Sequence, residues 1–294
     1  MNGNEEILKL SQEQLRNLQL KSLEILLYFK EFCEQHNLRF YLCGGCCIGA
    51  VRHKGFIPWD DDVDVFMPRD DYEKLFKIWN KYADTSKYSC NRTTENKFIG
   101  NVMTTICDNT TTVVRPWQKG KDGSKGVMID VLPLDGCAPS GIKRKIQMMW
   151  SMIFSLYCSK MVPVNHGKMV SLVAKLLLGI IFGNKAKTRI WKYAERQMSR
   201  YNIKDSKYIT ELCSGPGYMK NEYPKEIFES VVYKEFEGYM MPVPKGYDGY
   251  LKMAFGEYMK FPPLEKQIPH HDIVYMDLES GCTDDLIILK NGGK

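Results

Sequence analysis

The sequence predicts an α/β protein in which a mixed sheet with flanking helices is interrupted by a basic helical insertion. Short apolar or alternating segments are separated by segments of helical periodicity in both halves of the chain, which indicates the sheet and its helices. A long basic stretch of helical periodicity at 142–200 indicates the insertion. With 294 residues, 44% of them hydrophobic and 26% charged, the chain can bury a full core and is neither disordered nor collagenous.

Before the basic stretch, helices and strands alternate. Apolar residues recur at helical spacing over 11–35, and Ser11 with Gln14 forms a capping box at the start of that helix. Residues 62–66 alternate acidic and apolar side chains, which is typical of a strand with one solvent-facing side. The elements predicted in this part are helices at 11–35, 46–53 and 69–82 and strands at 39–43, 62–66, 98–107 and 127–132.

The basic stretch and the rest of the chain add helices and then return to the sheet. The helices predicted in the basic stretch lie at 142–161, 167–182 and 185–201. The elements predicted after it are an extended hairpin at 227–243, a short helix at 247–255 and a proline-bearing loop at 260–271. The chain therefore divides into a core that carries the candidate site at 1–140, a basic helical insertion at 141–203, and a part that completes the core at 204–294.

Positive charge is concentrated in the insertion. The whole chain carries a formal net charge of +6, but residues 142–200 contain twelve Lys or Arg and a single acid, Glu195. That stretch alone carries +11, and the rest carries −5. The distribution favours an anionic partner, namely a membrane surface, a polyanionic acceptor or nucleic acid, although a solvated helical face would show the same count. Its apolar runs are shorter than the roughly twenty residues of a membrane span, which favours helices lying in the plane of an anionic surface.

The N-terminus and the cysteines indicate the compartment. The segment MNGNEEILKLSQEQ is polar and acidic where a signal peptide would be basic and then apolar, so we expect a cytoplasmic protein. The basic insertion would bring it to the inner face of the membrane. Ten cysteines in a reducing compartment are expected to be buried small residues or reactive thiols rather than disulfides.

Two features between residues 41 and 66 carry the chemistry. Gly44 and Gly45 stand at the predicted start of a helix, where backbone N–H groups can approach a phosphate and the helix dipole favours negative charge. Asp62 and Asp64 are two residues apart on a predicted strand, so they share a face and can hold a divalent cation that also contacts phosphate oxygens. Either feature alone is a weak signal, but their proximity predicts a combined phosphate and metal site.

The same stretch carries a family resemblance. Gly44-Gly45 is followed by Arg52-His-Lys-Gly-Phe-Ile-Pro-Trp-Asp-Asp-Asp-Val-Asp64, and later segments at 129–135, 255–266 and 270–271 carry further shared motifs. This pattern resembles the LicD family of phosphocholine transferases, which includes fukutin and fukutin-related protein, within the polymerase-β-like nucleotidyltransferase superfamily. The resemblance extends over about residues 25–275 and implies a nucleotidyltransferase-like fold.

The resemblance implies a role for individual residues. It implies that the metal ligands are Asp60, Asp62, Asp64 and Asp130, that the catalytic residues are Asp62, Asp64, Asp130 and Arg52, and that the groups contacting the donor are Gly44, Gly45, Cys46, His53 and Lys54. Some alternatives stay open at this point. Asp60 could instead hold Arg52, Asp130 could cap a turn, and the basic residues 52–54 could complement the end of a helix dipole. His270 and His271 could bind phosphate, act as a base or pack beneath the loop.

The activity that the resemblance implies is a phosphotransfer dependent on Mg²⁺ or Mn²⁺. Phosphocholine, or a similar phospho-alcohol, would move from CDP-choline or another CDP-alcohol to a hydroxyl of a cell-surface glycan, teichoic acid precursor or lipid-linked acceptor, releasing CMP. A nucleotidyltransferase of the same fold that uses nucleoside triphosphates is the alternative, and a surface-binding protein that uses only the basic helices is a further one. The motif at 52–59 argues against the nucleotidyltransferase, and the intact carboxylate set argues against the surface-binding protein. A nucleic-acid partner is not expected. Cys46 replaces the usual Thr or Ser of the family, and Cys43 with Cys46 has the spacing of a zinc hook.

Overall fold

The computed structural model describes residues 7–118, 121–161, 168–181 and 183–282. The first residues of the polar N-terminus and the predicted helix ends at 167 and 182 lie outside the described residues. The helices are α1 (Gln12–Gln35), α2 (Gly44–Arg52), α3 (Arg69–Tyr82), α4 (Gly141–Ser159), α5 (Lys168–Ile180), α6 (Asn184–Met198) and α7 (Tyr247–Phe255). The helix predictions are thus confirmed, including the reciprocal capping box of Ser11 and Gln14 at the start of α1.

A mixed sheet of seven strands forms the centre of the fold. The strands of the described chain are β1 (Tyr41–Leu42), β2 (Asp64–Pro68), β3 (Tyr88–Asn91), β4 (Thr104–Asp108), β5 (Thr112–Val114), β6 (Met128–Gly136), β7 (Tyr208–Thr210), β8 (Tyr223–Pro224), β9 (Val231–Phe236), β10 (Tyr239–Pro244) and β11 (Tyr275–Asp277). The sheet order is β1-β2-β6-β4-β3, and β7 extends it from β6 to β8. Parallel pairing of β2 with β6, beside antiparallel neighbours, confirms the α/β class with a mixed sheet.

Several strand boundaries differ from the sequence prediction. The strand predicted at 62–66 begins only at Asp64, and the backbone before it is held by the Val63 carbonyl, which accepts from the Asp130 N–H at 2.8 Å. The strand predicted at 98–107 begins at Thr104. The Phe98 and Gly100 N–H groups donate to side chains of Asp122 and Thr93 at 2.7 and 2.9 Å, so ladder partners are replaced by side-chain acceptors.

Two apolar clusters lie beneath these elements. The larger cluster joins α1, the sheet, α3 and α7, with Phe29, Phe66 and Trp79 fully buried in it. The smaller one lies mainly between α4 and α6, where Phe154 contacts Trp191 with ring centroids 6.3 Å apart. The basic helices share this smaller core with Leu212, Cys213 and Met219, which follow β7. No helix in the described part of the chain is both long and apolar enough to cross a membrane.

Candidate active site

The Gly44-Gly45 turn begins α2 directly. Gly44 has a φ of 51°, in the left-handed region that favours glycine, and its N–H donates to the Tyr250 hydroxyl at 3.0 Å. Intrahelical bonding starts at Cys47, whose N–H donates to the Cys43 carbonyl at 3.1 Å. The N–H groups of Gly45 and Cys46 therefore belong to the first turn, where helix geometry provides no intrahelical acceptor. This is the arrangement that binds anions at a helix start.

The carboxylates lie against this turn. A Cβ added at Gly45 would overlap Asp60 Oδ2, and one added at Gly44 would lie 3.7 Å from Asp64 Oδ2. The turn favours glycine at position 44, and the close approach of the Asp60 carboxylate favours glycine at position 45. The glycine turn and the carboxylates of Asp60 and Asp64 are therefore adjacent.

Four aspartates meet at this position. The β2–β6 register places Asp64 directly beside Asp130 on the neighbouring parallel strand. Burial, together with the charges of Asp62 and Asp61, raises the pKa of Asp60 to about 8. Burial and the neighbouring Asp62 and Asp130 likewise raise the pKa of Asp64 well above its ordinary value.

Asp130 indicates which kind of ligand this cluster can bind. The Oδ1 atom of Asp130 is buried without a hydrogen-bond partner in the part of the chain that the structure describes, and burial raises the pKa of Asp130 to about 6. Carboxylates in contact repel one another unless a cation is shared between them, and oxygen ligands are those that Mg²⁺ and Mn²⁺ prefer. Asp60, Asp62, Asp64 and Asp130 therefore offer the oxygen type that such a cation prefers, but the ligand atoms that lie within 4.8 Å of one another in the described chain belong to Asp61, Asp62 and His271.

A fifth aspartate, Asp61, binds the proline-bearing loop at 260–271, here called the late loop, to the aspartate cluster. The Asp61 carboxylate accepts from the N–H groups of His270 and His271 at 3.1 and 3.2 Å, and it lies 3.2 Å from His271 Nδ1. The same His271 nitrogen is 3.8 Å from Asp62 Oδ2. Atoms of Asp61, Asp62 and His271 lie within 4.8 Å of one another, so they form a possible three-residue metal-ligand group. Burial alone would raise the pKa of Asp61, but its hydrogen bond and ion pair with His271 lower it.

Sequence reasoning missed Asp61 as a contact of the late histidines and missed Arg115 altogether. Arg115 follows β5 and is buried, and its Nε has no hydrogen-bond partner within the described ranges of the chain. Its guanidinium lies close enough to lower the pKa of Asp130 and of Asp61, each of which burial alone would raise. Asp61 and His270 are 209 positions apart, so no local sequence pattern links them. Only the His270-His271 motif of the family resemblance pointed to this loop.

The basic residues at the end of α2 contact other parts of the chain. Arg52 donates to the carbonyls of Tyr258 and Lys260 at 2.6 and 3.2 Å and stacks over the Phe261 ring, and its Nε lies 2.9 Å from His53 Nε2. Lys54 pairs with Glu235 at 3.2 Å. Arg52 is therefore held by the late loop.

Asp60 does not hold Arg52, which corrects one of the alternatives. The Asp60 carboxylate is occupied by the cluster itself, since it contacts Asp62 and lies 3.9 Å from His270 Nδ1. The thiols near the turn do not form a metal-ligand group within the described chain. Cys43 and Cys46 are buried, burial raises the pKa of both thiols, and no cysteine joins a metal-ligand cluster among the described residues.

Comparison with known proteins agrees with this geometry. Residues 37–134, which contain the turn and all the clustered aspartates, match the family model described as LicD/FKTN/FKRP, nucleotidyltransferase domain. The lipopolysaccharide cholinephosphotransferase LicD of Haemophilus influenzae is 34% identical to this chain over 270 residues, which cover 87% of this chain and 96% of that protein. The chain belongs to the LicD family. It is accordingly a transferase, and the resemblance stated from its motifs is confirmed.

More distant relatives share only part of the chain. An uncharacterized protein of Rickettsia prowazekii is 31% identical over 75 residues, which cover 24% of this chain and 28% of that protein. An uncharacterized protein of Rickettsia typhi is 39% identical over 41 residues, which cover 14% of this chain and 13% of that protein. Neither name reports an activity, so the LicD family relationship rests on the family model and on the protein of Haemophilus influenzae.

Proposed function

We propose that this chain transfers phosphocholine, or a similar phospho-alcohol, from CDP-choline or another CDP-alcohol to a hydroxyl of a cell-surface glycan. The observation that carries the proposal is the packing of Asp60 and Asp64 against the Gly44-Gly45 turn, because it joins a phosphate-binding helix start to a set of metal ligands. The name of the relative in Haemophilus influenzae supports the choline head group and a lipopolysaccharide acceptor.

In the proposed reaction, the acceptor oxygen forms a bond to the phosphorus next to choline. The bond from that phosphorus to the bridging oxygen breaks, CMP leaves with the electron pair, and the hydroxyl proton passes to solvent. Asp60, Asp62, Asp64 and Asp130 would hold Mg²⁺ or Mn²⁺, which when bound neutralises phosphate charge and polarises the phosphoryl group. The N–H groups of Gly45 and Cys46 bind a donor phosphate oxygen and fix its position, which supplies much of the catalysis of phosphoryl transfer.

Donor identity is tested by incubating the full chain with Mg²⁺, lipopolysaccharide and a panel of nucleotides. The panel consists of CDP-choline, CDP-ethanolamine, CDP-ribitol, CDP-glycerol and the four nucleoside triphosphates. We expect CMP release with one CDP-linked donor and transfer of its labelled head group to the acceptor. Pyrophosphate release from a triphosphate, without CMP release from any CDP-alcohol, would support the nucleotidyltransferase alternative instead.

The contact between turn and carboxylates is tested by Gly45→Ala. The added methyl group would displace Asp60, and we expect kcat/KM to fall at least about tenfold, which corresponds to about 1.4 kcal/mol of lost transition-state stabilisation. Gly141→Ala is the matched control, because no atom lies within 4 Å of its added Cβ. Equal activity of both variants would contradict the proposed site.

A further inference from the structure

The outward face of α4 is apolar. Ile142, Ile146 and Met149 recur at positions i, i+4 and i+7, and they are 76%, 46% and 42% exposed. α5 exposes a second row of the same kind, at Leu172, Leu176 and Ile180. We call these six residues the apolar stripe. Exposed apolar residues that follow one helix face indicate a surface that contacts something other than water.

The inward face of the first half of α4 is polar and is hydrogen-bonded to the core, whereas the second half buries Phe154, Tyr157 and Cys158 in the smaller apolar cluster. Arg144 donates to Thr210 Oγ1 at 2.7 Å and to Glu222 at 3.2 Å, and it is 4% exposed. Gln147 donates to the Gly136 and Met198 carbonyls at 2.8 Å each. A helix in contact with water normally has the opposite arrangement, with apolar residues inward. These hydrogen bonds therefore fix the orientation of α4, with the α4 row of the stripe facing outward.

The charges around the stripe are positive. Lys143 and Lys145 are exposed on either side of the α4 row, and Lys175 is exposed on α5. The single acid of the insertion is turned inward, since Glu195 pairs with Arg92 at 2.7 Å and lies 3.8 Å from Arg69. Arg144 is buried and does not contribute to the surface that the sequence count suggested.

We propose that the apolar stripe and its flanking lysines form a docking surface for an anionic lipid bilayer. Apolar side chains would enter the boundary between headgroups and acyl chains, while the lysines would contact anionic headgroups. The proposed function supplies the reason, since a lipid-linked acceptor would lie at this surface. A second copy of the chain is a poorer occupant, because an isologous contact would bring two segments of the same positive charge together.

The test is co-sedimentation of the full chain with vesicles, without metal or donor. We expect at least about tenfold more protein to pellet with phosphatidylglycerol than with phosphatidylcholine vesicles. Raising the ionic strength to 1 M should release it, because the screening length falls from about 8 Å at physiological strength to about 3 Å. Equal pelleting with both lipids, or pelleting with neither, would overturn the proposal.

Two variants separate charge from apolar contact. Lys143→Gln/Lys145→Gln should weaken binding to anionic vesicles about 30-fold, the equivalent of about 1 kcal/mol for each lysine. Its control is Lys77→Gln/Lys81→Gln, which removes two exposed charges from α3. Ile142→Ser/Ile146→Ser should weaken binding about tenfold, with Leu20→Ser/Met240→Ser as the control at other exposed apolar positions. Controls as weak as the test variants would overturn the assignment to this surface.

Two further measurements keep the outcomes distinct. Release of CMP from a soluble donor should be unchanged in both variants, because none of the substituted residues belongs to the carboxylate site. If the wild-type chain releases no CMP from any donor but still pellets with anionic vesicles, the proposed function fails and the docking surface stands. If light scattering shows a dimer that Ile142→Ser/Ile146→Ser dissociates, a second copy covers the stripe and the membrane proposal is overturned.

Discussion

The carboxylate site and the α4 helix both bury polar side chains. Those of α4 are hydrogen-bonded to neighbouring groups, whereas two polar atoms of the carboxylate site are not. In α4, the buried Arg144 and Gln147 are both hydrogen-bonded to neighbouring groups. In the site, Asp130 Oδ1 and Arg115 Nε are buried and have no hydrogen-bond partner among the residues that the structure describes. A buried polar group with partners stabilises a particular packing, whereas one without partners carries a desolvation cost that a ligand can relieve. We therefore expect the aspartates to bind a ligand, whereas Arg144 and Gln147 hold α4 against the rest of the fold.

Removing one site charge should have the largest effect on activity. Asp62→Asn or Asp64→Asn is expected to lower CMP release by at least about a thousandfold, since each removes a metal ligand beside the phosphate-binding turn. The free energy of unfolding of the metal-free protein should not fall, because each substitution also removes a charge from a repelling cluster. The measurements are a CMP assay at saturating Mg²⁺ and unfolding by urea.

Asp70→Asn is the control for this prediction. Asp70 is an exposed aspartate in the first turn of α3, and its substitution makes the same chemical change outside the cluster. Its activity should stay within about twofold of the wild type. Near-normal turnover of Asp62→Asn and Asp64→Asn would remove the metal site from the proposed function.

Arg115→Gln should have the next largest effect, because it removes the guanidinium whose positive charge acts on Asp130 and whose Nε has no hydrogen-bond partner among the described residues. A charge-assisted hydrogen bond is worth about 1.5–3 kcal/mol, so affinity for CDP and CMP should fall about 10- to 150-fold. Affinity for cytidine, which has no phosphate, should be unchanged, and Arg115→Lys should retain part of the affinity for CDP. Isothermal titration with the three ligands checks this. An equal loss for cytidine would mean that Arg115 has only a structural role.

The two parts of the site differ in how far sequence could predict them. Gly44, Gly45, Asp62 and Asp64 lie close together in sequence, so their residue types and spacing already indicated an anion turn beside metal ligands. Asp130 came from the resemblance, and the parallel β2–β6 register accounts for its position. The contacts of the late histidines depend on long-range folding, which periodicity and spacing do not specify.

The sequence pattern also does not predict which face of α4 is buried. Helical spacing assigns an apolar row such as Ile142, Ile146 and Met149 to the core, yet these residues are exposed and Arg144 is buried. Neighbouring Lys143 and Arg144 count equally in the net charge, but only Lys143 reaches the surface. The position of β7, which pairs with β6 and lies beside Arg144 through Thr210, decides this orientation. Counting charges in the sequence therefore predicted that this surface is positively charged but not which residues form it.

A smaller effect is expected where α6 of the basic insertion contacts the segment that follows β3. Glu195 of α6 is 19% exposed and pairs with Arg92, which also binds Glu73 of α3. Glu195→Gln should lower the free energy of unfolding by about 1–2 kcal/mol, because the charge-assisted bond becomes a neutral one. Glu95→Gln is the control, since Glu95 pairs with Lys192 of the same helix but is 68% exposed and should show no measurable change. Urea unfolding compares the two, and equal losses would contradict this account.

The smallest effect is expected at Cys46, the position where this chain differs from the usual residue of its family. Its thiol is buried and lies 3.7 Å from the Asp62 carbonyl, and burial raises its pKa, so it is a protonated thiol rather than a nucleophile. Donor binding at this position would use the backbone N–H, which substitution leaves in place. Cys46→Ser and Cys46→Ala should therefore keep kcat/KM within about threefold of the wild type, less than 1 kcal/mol. A loss of several orders of magnitude in Cys46→Ala, matched by Cys43→Ala and not rescued by Cys46→Ser, would instead require a thiol in the mechanism.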